Sequence, residues 1–244
     1  MRISETVEQQ LPYLRRYARA VTGAAAQGDL AVEAMLETLV VSLPEEVTRV
    51  SLFQWLDRML AAPKGWATGT VAISPPGRRA RLLTALEGFS EADAARILGL
   101  GEAEIAGLLE AAGNDLAAPQ AARVFIIEDE PLIVASLSQI VTSLGHTVAG
   151  IASTRSQAVD AAVKARPDLI LADIQLADGS QGTDAVADIR SQINVPVIFI
   201  TAFPERFLTG QEGEPAFLVP KPFKPAHVRT LIGQALFIRS LKLP

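Results

Sequence analysis

Apolar residues recur in two rhythms along this chain, and the change from one to the other falls near residue 122. Before it the spacing is three or four: Leu11, Leu14, Ala18 and Val21; Leu30, Ala34 and Leu36 to Val40; Leu52, Trp55, Leu56, Met59 and Leu60. That period lines one side of an α-helix, and it predicts three successive helices with stops at Gly23, Pro44 and Pro63. The one strand-like stretch in this half is Val71 to Ile73. A further pair of helices is predicted from Leu86 to Leu109, the first capped by Ser90 and separated from the second by a turn at Gly99 to Gly101.

After Ala122, short continuous apolar runs alternate with helical patterns. The runs Val124 to Ile127, Thr147 to Ile151, Leu169 to Ala172, Val197 to Ile200 and Ala216 to Val219 predict five strands buried on both faces. Helices are predicted at Leu132 to Leu144, Ser156 to Ala165, Thr183 to Gln192 and Pro225 to Arg239, with a short one near Glu205 to Thr209. This is a (βα)5 order, for which a doubly wound, flavodoxin-like parallel sheet is the expected packing. Proline, glycine and small residues gather at Ala61 to Gly77 and at Gly113 to Ala122, and the second cluster is the better boundary. The expected organisation is an all-α domain at 1–112, a linker at 113–122 and an α/β domain at 123–244.

Composition narrows the chemistry. Of 244 residues, 49% are hydrophobic and 20% charged, the balance of a globular protein. The longest apolar runs, such as Val195 to Ala202, fall short of the roughly 20 residues a spanning helix needs, and Met1 to Gln10 lacks the plan of a signal peptide. A cytoplasmic protein is expected. With no cysteine and only His146 and His227, both expected at the surface, any metal is held by oxygen. A net charge of -5 disfavours an electrostatic grip on nucleic acid.

In an open α/β sheet, ligands gather beyond the carboxyl ends of the strands. There the sequence puts Glu128 and Asp129 after the first strand, Asp173 at the end of the third, Thr201 at the end of the fourth and Lys221 after the fifth. These are the parts for phosphoryl transfer to a carboxylate. Asp173 is the nucleophile, Glu128 and Asp129 hold a divalent cation for which Mg2+ is suited, and Lys221 and the Thr201 hydroxyl meet phosphoryl oxygens.

The segments Val124-Phe-Ile-Ile-Glu-Asp-Glu-Pro131, Leu169-Ile-Leu-Ala-Asp-Ile174, Ile198-Phe-Ile-Thr-Ala202 and Val219-Pro-Lys-Pro-Phe223 resemble those of response-regulator receivers over Arg123 to about Leu241. The resemblance implies that Asp173 is the phosphoacceptor, phosphorylated from a sensor histidine kinase or phosphotransfer protein. It further implies that Asp129 contacts Mg2+ directly, that the Gln175 backbone carbonyl is a further ligand, and that the Lys221-Pro222 bond is cis. It departs from the family where a switch aromatic usually stands three residues before the lysine: that position is Leu218, with Phe217 before it.

The helix-turn-helix at Leu86 to Leu109 resembles region four of extracytoplasmic-function sigma factors, placed at 77–112, and residues 1–61 resemble region two. A DNA-reading helix needs Arg or Lys to meet phosphates and base edges. The second helix here carries Glu102, Glu104 and Glu110 and no base, while Arg15, Arg16, Arg19, Arg78, Arg79 and Arg81 lie elsewhere. No DNA-binding residues are therefore expected. A sigma-like half followed by a receiver resembles the PhyR-type regulators of the alphaproteobacterial general stress response. That resemblance implies a non-enzymatic anti-anti-sigma factor: phosphorylation at Asp173 frees the sigma-like domain to sequester a NepR-type anti-sigma factor and so release the stress sigma factor. The alternative is a conventional response regulator whose helical half binds promoter DNA or RNA polymerase.

Overall fold

A computed structural model describes residues 3–42, 44–62, 67, 73–114, 121–176, 178–211 and 214–242. They fall into two compact units. The first comprises Met1–Asn114 together with Glu205–Ala216, and the second Asp115–Pro204 with Phe217–Pro244. Of the expected linker, residues 115–120 lie outside the described residues, as do Val71 and Ala72 of the strand-like stretch, whose remaining member Ile73 is in no regular element. No described helix is long and apolar enough to cross a membrane.

The first unit is helical, as its periodicity predicts. Helices α1 (Ile3–Thr22), α2 (Ala25–Ser42) and α3 (Arg49–Ala61) bury Leu14, Tyr17, Val21, Val32, Met35, Phe53, Leu56 and Leu60 against one another. Gly23, at φ 67°, ends α1 in the left-handed conformation that glycine tolerates without steric cost. Gly28 lets α2 cross α1 closely, since a Cβ there would lie 2.5 Å from the Arg19 backbone nitrogen. Thr48 and Ser51 form a reciprocal capping box at the start of α3. Helix α4 (Pro76–Arg81) continues into a π-helical turn at Leu82–Leu86. Phe89 then closes the core with its ring centroid 4.8 Å from that of Phe53. Ser90 caps α5 (Glu91–Leu98), Gly99 ends it at φ 68°, and α6 (Glu102–Asn114) follows, which is the predicted helix-turn-helix.

The second unit holds a five-stranded parallel sheet: β1 (Arg123–Ile127), β2 (Thr147–Ala152), β3 (Leu169–Asp173), β4 (Val197–Thr201) and β5 (Phe217–Pro220). Their order is β2-β1-β3-β4-β5, that of the doubly wound flavodoxin-like fold. Helices α7 (Pro131–Ser143), α8 (Arg155–Ala165), α9 (Gly182–Arg190) and α10 (Pro225–Lys242) connect and flank the strands. β3 and β4 are buried along their whole length, which is why they read as unbroken apolar runs. The short helix expected near Glu205 is a 3-10 turn at Pro204–Phe207. His146 is a correction: it is buried, not a surface residue. It lies between α7 and β2, and its Nδ1 accepts the backbone N–H of Ala122 at 3.2 Å just ahead of β1. Burial lowers the pKa of its imidazole, only partly offset by Asp168, so the acceptor form is favoured.

Candidate phosphoryl-acceptor site

The parallel sheet delivers its reactive residues to one edge because parallel strands all end on the same side. Asp173 closes β3 and is nearly buried, Thr201 closes β4, and Glu128 follows β1 with its side chain fully enclosed. Lys221, one residue beyond β5, precedes Pro222 through a cis bond, as expected, and is held by donation of its backbone N–H to the Thr201 carbonyl at 2.7 Å. Its ammonium reaches the centre of the site. Nζ lies 2.7 Å from Asp173 Oδ2, 3.0 Å from Glu128 Oε2 and 3.5 Å from Glu130 Oε1.

Carboxylate oxygens of Glu128, Glu130 and Asp173 come within 4.8 Å of one another. The sequence placed Asp129 in this role. Asp129 is half-buried in a bend just beyond β1 and lies outside that trio. Glu130 is the residue that sequence reasoning missed, although the run Glu128 to Glu130 displays it. The oxygen-only donor set suits a hard divalent ion. Desolvation pushes the Glu128 pKa up, Lys221 opposes this, and the Asp173 charge adds to it. Burial alone would lower the Lys221 pKa, but the bonds to Asp173 and Glu128 outweigh it and hold the ammonium above the ordinary lysine range. One cation thus already stabilises the assembled carboxylates.

The loop after Asp173 is folded back tightly. The Gln175 backbone N–H donates to Asp173 Oδ1 at 3.2 Å, and Gln175 pairs with Gln181 in an isolated antiparallel bridge. Gly182, which donates to the Ile174 carbonyl at 2.9 Å, starts α9 so close to β3 that a Cβ would fall 1.8 Å from the Asp173 carbonyl oxygen. Nothing in the periodicity signals this glycine. The Thr201 hydroxyl accepts the backbone N–H of Phe203 at 3.1 Å. Phe217 and Leu218, which stand around the usual switch-aromatic position, are buried in β5.

In the helical unit, α6 turns Glu102, Glu104 and Glu110 to solvent and buries Ile105. Three of the arginines outside that helix are engaged within the helical unit. Arg16 is bidentate to Glu87 at 2.9 and 2.8 Å, Arg19 to Asp29 at 2.8 and 2.7 Å, and Arg79 meets Asp57 at 2.5 Å. Asp57 also accepts from the Tyr17 hydroxyl at 2.7 Å.

Three families match the chain: the response regulator receiver domain over residues 124–232, the sigma2 domain of PhyR over 7–60, and the sigma-like domain of the response regulator PhyR over 71–118. The phyllosphere-induced regulator PhyR of Methylorubrum extorquens is 48% identical, covering 98% of this chain and 96% of its own. The crystal structure of the response regulator PhyR from Brucella abortus is similar at a TM-score of 0.90 and 45% identity, covering 99% of this chain and 96% of that one. That of the anti-anti-sigma factor PhyR from Bartonella quintana is similar at 0.89 and 46%, covering 98% of each.

Proposed function

Since the chain belongs to the PhyR family of response regulators, we propose that it is a phosphorylation-gated anti-anti-sigma factor acting in the cytoplasm. The observation that carries this reading is a helix-turn-helix complete in shape whose second helix bears only acids. Such a surface repels a phosphate backbone, yet it keeps the outline that a protein partner of sigma factors recognises. That partner is an anti-sigma factor of the NepR type, and its capture frees the stress sigma factor. A groove of about 380 Å³ between α2 and α3, lined by Met35, Leu39, Trp55 and Met59, supplies the apolar part of such an interface.

In the receiver, the Asp173 carboxylate attacks phosphorus of a phosphohistidine. A P–O bond forms as the P–N bond breaks, and the electron pair leaves with the imidazole. Glu128, Glu130 and Asp173 fit Mg2+, with Asp129 and the Gln175 carbonyl as further oxygens; when bound it supplies charge neutralisation. Lys221 already pairs with Asp173 and stays within reach of a phosphoryl oxygen there. The Thr201 hydroxyl, on turning to another phosphoryl oxygen, ceases to accept from Phe203. That exchange of partners is the switch, and it biases a two-state equilibrium by differential stabilisation alone.

The test is retention of a purified NepR-type anti-sigma factor by the full-length chain, with and without beryllofluoride and Mg2+. Capture is expected to rise on activation in the wild type and to stay at the resting level in Asp173→Ala. Equal capture under all conditions would reject gating, and salt-sensitive, sequence-specific retention of promoter DNA would reject mimicry.

A further inference from the structure

Ala122 and Arg123, where the chain enters β1, are held from both sides by residues that stand at the start of the neighbouring strands. On the β3 side Asp168 meets Arg123 twice. Its N–H donates to the Arg123 carbonyl at 2.7 Å, and its Oδ2 accepts the Arg123 N–H at 2.8 Å. On the β2 side the Thr147 N–H donates to the Ala122 carbonyl at 2.9 Å, and the Ala122 N–H is left to a side chain. That side chain is His146, whose Nδ1 accepts it at 3.2 Å. Both residues are buried, so bulk water does not stand in for the bond.

His146 is fixed for this role by its backbone. Gly145, at φ 77°, turns the chain out of α7, and the His146 N–H returns to the Val141 carbonyl at 3.2 Å. An acceptor at Nδ1 puts the ring proton on Nε2, which is buried and has no hydrogen-bond partner among the described residues. A neutral imidazole offers one lone pair, and Ala122 uses it. A second proton must bind at that same atom, because an imidazolium donates from both nitrogens and accepts at neither. The proton and the Ala122 N–H therefore exclude one another.

The surroundings set which of them wins. Burial disfavours the imidazolium and lowers the His146 pKa, and the Asp168 charge opposes this to a smaller extent. Arg239 of α10 is bound to Asp168 and offsets that charge. The other cations at this end of the sheet are Arg123 at the start of β1 and Arg229 of α10, which donates to Ser143 Oγ at 3.3 Å at the end of α7.

We propose that His146 is a proton-operated clamp on the entrance to β1, closed while its ring is neutral and opened by acidification. The folded ring holds its proton less tightly than the unfolded one, so the clamp's contribution to receiver stability is complete above about pH 6.5 and is lost as pH falls through the folded pKa. The clamp acts at the opposite end of the strands from Asp173 and needs neither phosphate nor metal. Acid is thus a second input to the receiver, and it loosens the first residues of β1.

The test is solution NMR of the full-length chain between about pH 8 and pH 4.5, following the His146 ring signals and the exchange of the Ala122 amide corrected for the intrinsic pH dependence of exchange. Protection of Ala122 is expected to fall by about tenfold or more as the ring takes up its proton, the size of one lost hydrogen bond. Ile126, in the middle of β1, should stay protected as the control for folding. His146→Asn offers an oxygen in place of Nδ1 but does not titrate, so its Ala122 protection should be flat across the range. A ring that takes up its proton with Ala122 protection unchanged overturns the clamp, and so does a ring that stays neutral throughout. Loss of protection at the same midpoint in His146→Asn also overturns it, since another group is then titrating. If His146→Asn does not fold, the wild-type titration decides on its own.

Discussion

Glu87→Ala tests whether the arginines of the helical unit serve its fold. Glu87 stands just after the π-turn with a fully buried side chain, and it receives Arg16 Nε at 2.9 Å and Nη2 at 2.8 Å from α1. Burial alone would lower the Arg16 pKa, but the Glu87 charge and hydrogen bonds outweigh it and raise it. Arg49 adds a bond to the Glu87 carbonyl at 2.6 Å and stacks over Phe89 with its guanidinium 4.2 Å from the ring centroid. Truncation removes the carboxylate from Arg16, which stays buried with a 3.4 Å contact to the Leu86 carbonyl and the Tyr13 ring 5.2 Å from its guanidinium. Removing one partner of a buried ion pair destabilises by about 3–5 kcal/mol, because the remaining charge is uncompensated. Both tryptophans, Trp55 and Trp66, precede residue 113, so their fluorescence in a urea titration follows the helical half. With a slope of about 2 kcal/mol/M, the midpoint should fall by roughly 1.5–2.5 M. The double variant Arg16→Leu with Glu87→Leu should regain most of the loss, since it removes both charges together. A shift under about 0.5 M in Glu87→Ala would show a pair no stronger than an exposed one and refute the reasoning. If Arg16 were a nucleic-acid contact, Arg16→Ala would weaken DNA retention and leave the urea midpoint in place.

Gly182→Ala should destabilise the receiver by about 1–3 kcal/mol through overpacking against the Asp173 carbonyl, and it should slow acyl-phosphate formation; phosphorylation at the wild-type rate with an unchanged melting temperature would contradict it. Tyr17 is enclosed and donates to Asp57, and burial followed by the Asp57 charge raises its pKa well above 10.0. Its folded state holds the proton more tightly than the unfolded one, so the contribution to stability is complete below about pH 10 and is lost as pH rises further. Comparison with Tyr17→Phe should therefore show the wild type losing stability more steeply above that pH, and the share of tyrosinate absorbance that the variant lacks should appear only on unfolding; parallel pH profiles would exclude it.

Much of this architecture is written locally. The alternation of unbroken apolar runs with helical periods gives the five strands and their helices, because a strand buried on both faces must be apolar at every position. Ser90, Gly99 and the glutamates of α6 give a helix-turn-helix without nucleic-acid chemistry, since capping and charge are properties of neighbours in sequence. Asp173, Thr201 and Lys221 were legible because strand ends in a parallel sheet are predictable places. Other contacts had no local sign. Glu130 joins Glu128 and Asp173 in a carboxylate trio only because the chain bends just beyond β1. Gly182 matters because α9 starts against β3, and His146 is buried where its Nδ1 meets the N–H of the distant Ala122. The pairing of Arg19 with Glu214 spans 195 positions. Periodicity records which face of an element is buried, but not which distant charge will meet it there. That is settled when folding brings the two together and desolvation leaves neither able to remain unpaired.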